Sequence, residues 1–312
     1  MMMRSPRVAS SPLSAFPPFA ELIKCDSLQR LKKIRFLGAI EYFDKNHETA
    51  GSRFDHTIRT AEMTIAAATA SRLPHQHQLL AVIHALLHDI GHGPLSHSSE
   101  QYFQNRYGLN HHVRFLKILS DETSDVVQIL RKHRTIDSYR TFVSSPSRFP
   151  VVASFFFGPL NVDTIEGITR AAKYFGLPVK VTPDDLLRFI AKPKMKGLGK
   201  ADDFWELKSK VYSESINSPL GTMRDGMVTE IFVTAGERVS QTDFLLTDDQ
   251  FEERFEGSIA STVEKHRDES KVEKTVSKRR RIFEIDSHSV PRTQTQLSRR
   301  YSHRTLLSDK QQ

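Results

Sequence analysis

Apolar residues in this chain recur at three- and four-residue steps, and few segments alternate with period two. That spacing predicts helices almost throughout. It runs first from Ala20 to Phe43, through Leu22, Ile23, Leu28, Leu31, Ile34 and Leu37, with one offset. A loop containing Asn46, His47, Thr49 and Gly51 follows. The next helix is predicted from about His56 to Ser71, where Ile58, Met63 and Ile65 stand among alanines, and Pro74 breaks it. Gln76 to Ile90 is strongly helical, with Leu79, Leu80, Ile83, Leu86 and Leu87 inside, and stops at Gly91, as a helix C-terminus does. Helical patterns continue over 110–120, 124–132, 162–175, 184–191 and 202–216, with a last one over 223–236. The expected fold class is therefore all-α, a helical bundle with additional C-terminal helices, and no internal repeat is visible.

Residues 1–18 are rich in Ser and Pro and read as a flexible leader. A main helical domain is expected over 19–200 and a helical extension over 201–262. Apolar residues then thin out, so 263–312 reads as a disordered tail, with a basic cluster from Lys278 to Arg281. The net charge is +8, but residues 262–312 alone hold 13 Lys or Arg against 7 Asp or Glu. Most of the basic character thus belongs to the tail, where it could serve nucleic acid, an acidic partner or a localisation signal, and the body is close to neutral.

Of the chain's 312 residues, 38% are hydrophobic, which suffices for a buried core. The single cysteine, Cys25, excludes a disulfide framework, points to a reducing compartment and reads as a small buried hydrophobe. No stretch approaches the ~18 consecutive apolar residues of a membrane span, and the leader has no continuous apolar core of a signal peptide. These features predict a soluble, cytoplasmic protein.

The candidate chemistry lies at helix ends. His88 and Asp89 are adjacent at the end of the most apolar helix. Burying an imidazole and a carboxylate there is costly unless they are paired or bind a metal. His56 opens the preceding helix and Asp163 opens a later one. Two imidazoles and two carboxylates suit a divalent Fe, Mn or Zn ion better than Ca or Mg alone, although Mg could bind in addition. His92, His97, His111 and His112 lie near in sequence and are candidates for proton donation or phosphate binding. His75, His77, His84, His133 and His266 read as ordinary surface or core histidines, and Phe155, Phe156 and Phe157 read as core.

Two stretches carry a family resemblance: Arg53-Phe-Asp-His56, and Leu86-Leu-His-Asp-Ile-Gly-His-Gly-Pro-Leu-Ser-His97. The chain resembles the HD-domain phosphohydrolases, most closely the branch of SAM- and HD-domain deoxynucleoside triphosphate triphosphohydrolases and their bacterial relatives. The resemblance runs from about Asp26 to Phe255, and no SAM domain is expected ahead of the short leader. It implies an HD catalytic domain over 19–200 that holds a divalent metal through His56, His88, Asp89 and Asp163. It also implies His92 and His111 near the scissile phosphate, His111 as general acid, and Arg53 and His97 on substrate phosphate. Dimers or tetramers are implied as well. His112 stands where the family often has a glutamate. The family's lysine, tyrosine and second aspartate for phosphate and sugar fall at Thr164, Gly167 and Ala171, and a phosphate-gripping arginine falls near Lys208. Lysine keeps that charge but not the two-pronged fork.

The leading expectation is hydrolysis of a phosphate ester or anhydride, in a nucleotide, which includes dNTP triphosphohydrolysis. Alternatives are a phosphodiesterase or nuclease acting on nucleic acid, and a non-catalytic regulatory module that keeps the metal site.

Overall fold

The computed structural model describes residues 17–44, 49–157, 160–191, 198–266, 281–283 and 303–305. Residues 1–16 of the expected leader, Asn46 and His47 of the expected loop, and most of the expected tail, including Lys278 to Arg280, lie outside the described residues. The architecture is all-α, as the periodicity predicts. Among the described residues, one ladder pairs the three-residue strands Arg281–Phe283 and His303–Thr305 antiparallel.

The N-terminal segment departs from the single helix predicted from Ala20 to Phe43. It forms α1 (Pro17–Lys24), α2 (Asp26–Gln29), a 3₁₀ turn (Arg30–Lys33) and α3 (Ala39–Tyr42). Ile34 is extended, and Arg35 bridges Ser52. Phe36 N–H donates to the Gly51 carbonyl at 3.0 Å and Arg53 N–H to the Ile34 carbonyl at 2.8 Å. This pairing takes the groups that a continuous helix would have used, which is a tertiary override of a helical pattern.

The core helices are α4 (Arg53–Ala70) and α5 (His75–Leu87). A capping box starts α4: Ser52 Oγ accepts from Asp55 N–H, and Asp55 accepts from Ser52 N–H, which moves the start three residues ahead of the predicted His56. In α5 every residue from Leu80 to Leu87 is buried, so the helix is covered all round, by α4 above all. Ala61, Ala67 and Ala68 of α4 and Ala81 and Ala85 of α5 are buried small side chains that permit this close packing.

Around this pair stand α6 (His97–Tyr107), α7 (His111–Ser120), α8 (Asp125–Lys132), α9 (Ile136–Ser144), α10 (Pro150–Phe157), α11 (Val162–Tyr174), α12 (Pro183–Ala191) and α13 (Leu198–Lys210). A π-helical turn, Val211–Ile216, continues α13, and α14 (Pro219–Ala235) and α15 (Asp248–Lys265) complete the fold. The sequence pattern missed α6, α9, α10 and α15, and named 223–236 as the last helix. In α6 few residues are buried, so its apolar stripe is faint; α10 is apolar but for Ser154 and shows no period; α15 carries a kink at Phe255. The aromatic run also differs from expectation: Phe155 is fully buried, but Phe157 at the helix end is 59% exposed. Cys25 is buried as expected, its thiol pushed up to about 12 by burial.

Two apolar clusters result. The larger is centred on α4 and α5 and includes Phe204, Trp205 and Tyr212. The smaller packs Leu95 and Phe103 against Phe232, Phe244, Phe251 and Phe255. The loop between α5 and α6 lies where they meet. Among the described residues no helix is long and apolar enough to cross a membrane.

Candidate metal centre

Helix ends build the site. His56 lies in the first turn of α4, His97 begins α6, His111 begins α7 and Asp163 lies in the first turn of α11, while His88 caps the C-terminus of α5. Asn110 and Asn161 cap α7 and α11, accepting from Val113 N–H at 2.8 Å and Thr164 N–H at 2.7 Å. Their caps fix which residues occupy the first turn. The α5 helix ends at Leu87, and the chain turns sharply through Gly91, which lies against α7: a Cβ there would sit 1.9 Å from the His111 carbonyl oxygen. The turn aims Asp89 and His92 at the same region as His88.

Of the four expected ligands, three offer atoms within 4.8 Å of one another: His56, His88 and Asp163. Asp163 Oδ1 is 3.0 Å from His56 Nε2 and 3.5 Å from His88 Nε2. Asp89 borders them with its oxygens divided. Its Oδ2 lies 3.5 Å from His56 Nε2, and its Oδ1 lies 3.5 Å from His88 Nε2. Both Nε2 atoms are buried, yet neither has a hydrogen bond. Buried polar atoms are nearly always satisfied. Two imidazole nitrogens left open toward carboxylate oxygens form a donor set that fits a divalent transition metal. The Asp163 side chain is 44% exposed and marks the open side.

The opposite nitrogens are held. His88 Nδ1 lies 2.9 Å from the Ala85 carbonyl, which fixes the proton on Nδ1 and leaves Nε2 for a ligand bond. His56 Nδ1 lies 2.5 Å from Glu166 Oε2, and Glu166 also accepts from Arg170. Such carboxylate–histidine pairs orient metal ligands. The sequence reading missed Glu166, although it stands one turn after Asp163 on the same face of α11.

The electrostatics agree. Burial lowers the His88 imidazole, but the nearby Asp89 and Asp163 carboxylates outweigh it and bring the group up to about 9. His56 is raised against burial by Glu166 and Asp163. Burial would raise the Asp89 carboxyl, yet His88, His92 and Arg53 hold it well below the carboxylate range. The carboxylates that favour protons on these rings would equally favour a cation between them.

A second group adjoins the first. His92, His97, Glu100 and His111 also offer ligand atoms within 4.8 Å of one another. Here Glu100 supplies the bonds, with Oε1 2.5 Å from His111 Nδ1 and Oε2 2.9 Å from His97 Nδ1. The His92 ring stacks on His111 at 4.2 Å. Burial first, then the Arg53 and His111 charges, hold His92 well below the ordinary imidazole range. Glu100 raises His111 against burial, so it is the ring of the pair that carries a proton more readily. The sequence reading did not assign Glu100; its place three residues after His97 was the available signal.

Arg53 is buried and already engaged, donating to Asp89 Oδ2 at 2.8 Å and to Ser96 Oγ at 2.9 Å. Lys208 lies on α13, 1% exposed, with its ammonium 5.8 Å from the Trp205 ring centroid. Burial lowers it well below the usual lysine range, and the Asp163 charge opposes that shift. His112 is exposed beside His111. Gly167 packs against the Phe36 ring and Ala171 is 2% exposed, so neither reaches into the site as a phosphate or sugar contact would.

Comparison with known proteins agrees with this geometry. The chain is 24% identical over 225 residues to an uncharacterized protein, YwfO, of Bacillus subtilis (strain 168). That alignment covers 68% of this chain and 50% of the relative, so the chain spans about half the length of the curated relative it matches. The family model of the HD domain matches residues 53–147, which include His56, His88 and Asp89 but not Asp163. Within the all-α body, residues 53–147 are thus similar to the HD domain.

Proposed function

We propose that this protein hydrolyses a phosphate ester or anhydride of a nucleotide, with a divalent cation held by His56, His88, Asp89 and Asp163. The observation that carries the reading is the pair of buried, unbonded Nε2 atoms on His56 and His88 facing the Asp163 carboxylate. A bound divalent cation supplies Lewis acidity and lowers the pKa of water near neutral pH.

The chain's own residues account for the rest. His56, His97, His111 and Asp163 all lie in first turns of helices of eight residues or more, so four positive helix ends favour an anionic substrate here. Arg53 fixes Asp89 and adds positive charge beside it. His92, kept neutral by burial, can hydrogen-bond a phosphate oxygen. His111, on which Glu100 favours the proton, is the donor to the leaving oxygen. His97 binds phosphate from the same side, and Lys208 lies within electrostatic reach of Asp163.

The test is phosphate or triphosphate release from dNTPs, NTPs, mononucleotides, cyclic nucleotides and single-stranded oligonucleotides, with Mn, Fe, Mg and Zn each supplied. Activity is expected with at least one pair and none in the His88→Ala/Asp89→Ala variant, which should also lose its metal. Retained metal or activity in that variant would overturn the reading. A second reading, hydrolysis of phosphodiesters in nucleic acid, is favoured by the enclosed Gly167 and Ala171, where the resembled triphosphohydrolases hold phosphate and sugar. It expects affinity that falls steeply with salt.

A further inference from the structure

Two consecutive residues, Leu95 (φ 55°) and Ser96 (φ 52°), take positive φ, and neither is glycine. Ser96, with ψ −131°, occupies a region dominated by glycine, asparagine and aspartate. Backbone of this kind persists only when its surroundings over-determine it. The surroundings here come from the C-terminal part of the chain, about 150 residues away in sequence. Leu95 N–H donates to Asp248 Oδ1 at 2.8 Å, and Arg35 N–H donates to Asp248 Oδ2 at 2.9 Å. Asp248 is 1% exposed, at the start of α15.

The loop has two further ties to the same segment. Arg30 donates to the His92 carbonyl and, at 3.3 Å, to the Leu246 carbonyl. The Phe244 ring fills the space that a Cβ on Gly93 would need, 2.7 Å away. From the held loop the contacts run on to the site. Ser96 Oγ donates to the Arg35 carbonyl at 2.5 Å and accepts from Arg53 Nε at 2.9 Å. Arg53 Nη1 in turn donates to Asp89 Oδ2 at 2.8 Å.

We propose that Asp248 is a positioning residue for the cation site, acting through Leu95, Ser96 and Arg53 on the orientation of Asp89. The proposal rests on the reading that His56, His88, Asp89 and Asp163 hold a cation. It places a determinant of that site 101 residues beyond the end of the matched HD segment at 147. The role needs a carboxylate. Two backbone N–H groups point at opposite oxygens of one buried side chain, and an amide has a single acceptor oxygen to offer them. Asp248→Asn therefore leaves volume unchanged but turns an NH₂ group toward one of the two donors.

The test is Mn²⁺ affinity of the full chain, by titration followed by electron paramagnetic resonance, for wild type, Asp248→Asn, Ser96→Ala and the double variant. Asp248→Asn is expected to weaken Mn²⁺ binding about 10- to 100-fold with unchanged stoichiometry and helical circular dichroism. Ser96→Ala should do the same, and the double variant should bind no more weakly than the worse single one, because both cut one line of contacts. Wild-type affinity in a folded Asp248→Asn, or additive losses in the double variant, would overturn the proposal. If Asp248→Asn does not fold, Ser96→Ala decides, since it spares the Asp248 bonds and removes the Ser96 hydroxyl's links to Arg53 and to the Arg35 carbonyl; wild-type affinity there also overturns it. Failure of the wild type to bind Mn²⁺ through His88, seen as no loss in His88→Ala, would overturn the cation reading itself.

Discussion

The two histidine–carboxylate groups stand side by side and are satisfied in opposite ways. In the first, Glu166 and the Ala85 carbonyl take the Nδ1 atoms of His56 and His88, and the two Nε2 atoms are left facing Asp163 without hydrogen bonds. In the second, Glu100 bonds both His97 and His111 from within. A set that leaves its nitrogens open offers a donor set that a cation could fill. One that supplies its own carboxylate tunes protons instead, since a carboxylate beside an imidazole favours the charged ring. His92 of the second group breaks the pattern: both its ring nitrogens are buried without a hydrogen bond, Nε2 3.3 Å from Asp89 Oδ1 and Nδ1 3.5 Å from Glu100 Oε1. Residue types alone would not separate the groups; the difference lies in which nitrogen each carboxylate reaches.

The sharpest way to break this contrast is Glu100→Gln. If the second group handles protons, kcat should fall about 10²- to 10⁴-fold with metal content unchanged. Loss of the metal in that variant would merge the two groups into one. Next in size, Glu166→Gln should weaken Mn²⁺ binding about 10- to 100-fold while activity at saturating metal stays near wild type; an unaltered Mn²⁺ titration would remove Glu166 from the site. Gly91→Ala tests the close approach that brings the groups together. Its Cβ would meet the His111 carbonyl, so a loss of about 1–3 kcal/mol is expected in urea unfolding.

The smallest effect concerns His84, one turn before His88 and enclosed by Phe142 and Phe156. Burial holds this ring down to about 3, from an ordinary 6.5, so folding favours its neutral form. The stability it contributes is present above pH 6.5 and is lost as pH falls from there toward about 3. His84→Gln should flatten the acid side of the stability profile, measured as denaturation midpoint against pH; a slope equal to wild type would refute the assignment.

Much of the fold was legible in the sequence, because a helix with one or more buried faces writes its burial as a period. Helices α4, α5, α7, α8, α11 and α12 lie close to their predicted spans, and both α4 and α11 begin where a cap precedes an apolar run. The pattern misled at Ile34 to Phe36, where pairing with residues 51–53 broke a helical spacing, and failed at α10, which has no polar face to set a period. Within the candidate site, His88 and Asp89 stood out because an imidazole and a carboxylate at the end of an apolar helix need a reason to be there, and the family resemblance joined His56 and Asp163 to them. The same logic gave Glu100 and Glu166 no prominence, since a glutamate inside an amphipathic helix ordinarily faces water.

What the sequence determined by itself is the all-helical class and the helix ends at which histidines and aspartates able to hold a cation stand, since both follow from local spacing. The tertiary structure decided the partners. His56 meets Glu166 across 110 residues and Leu95 meets Asp248 across 153. Those meetings depend on how whole helices pack, and a local period fixes which face of a helix is buried but not which distant side chain that face will touch.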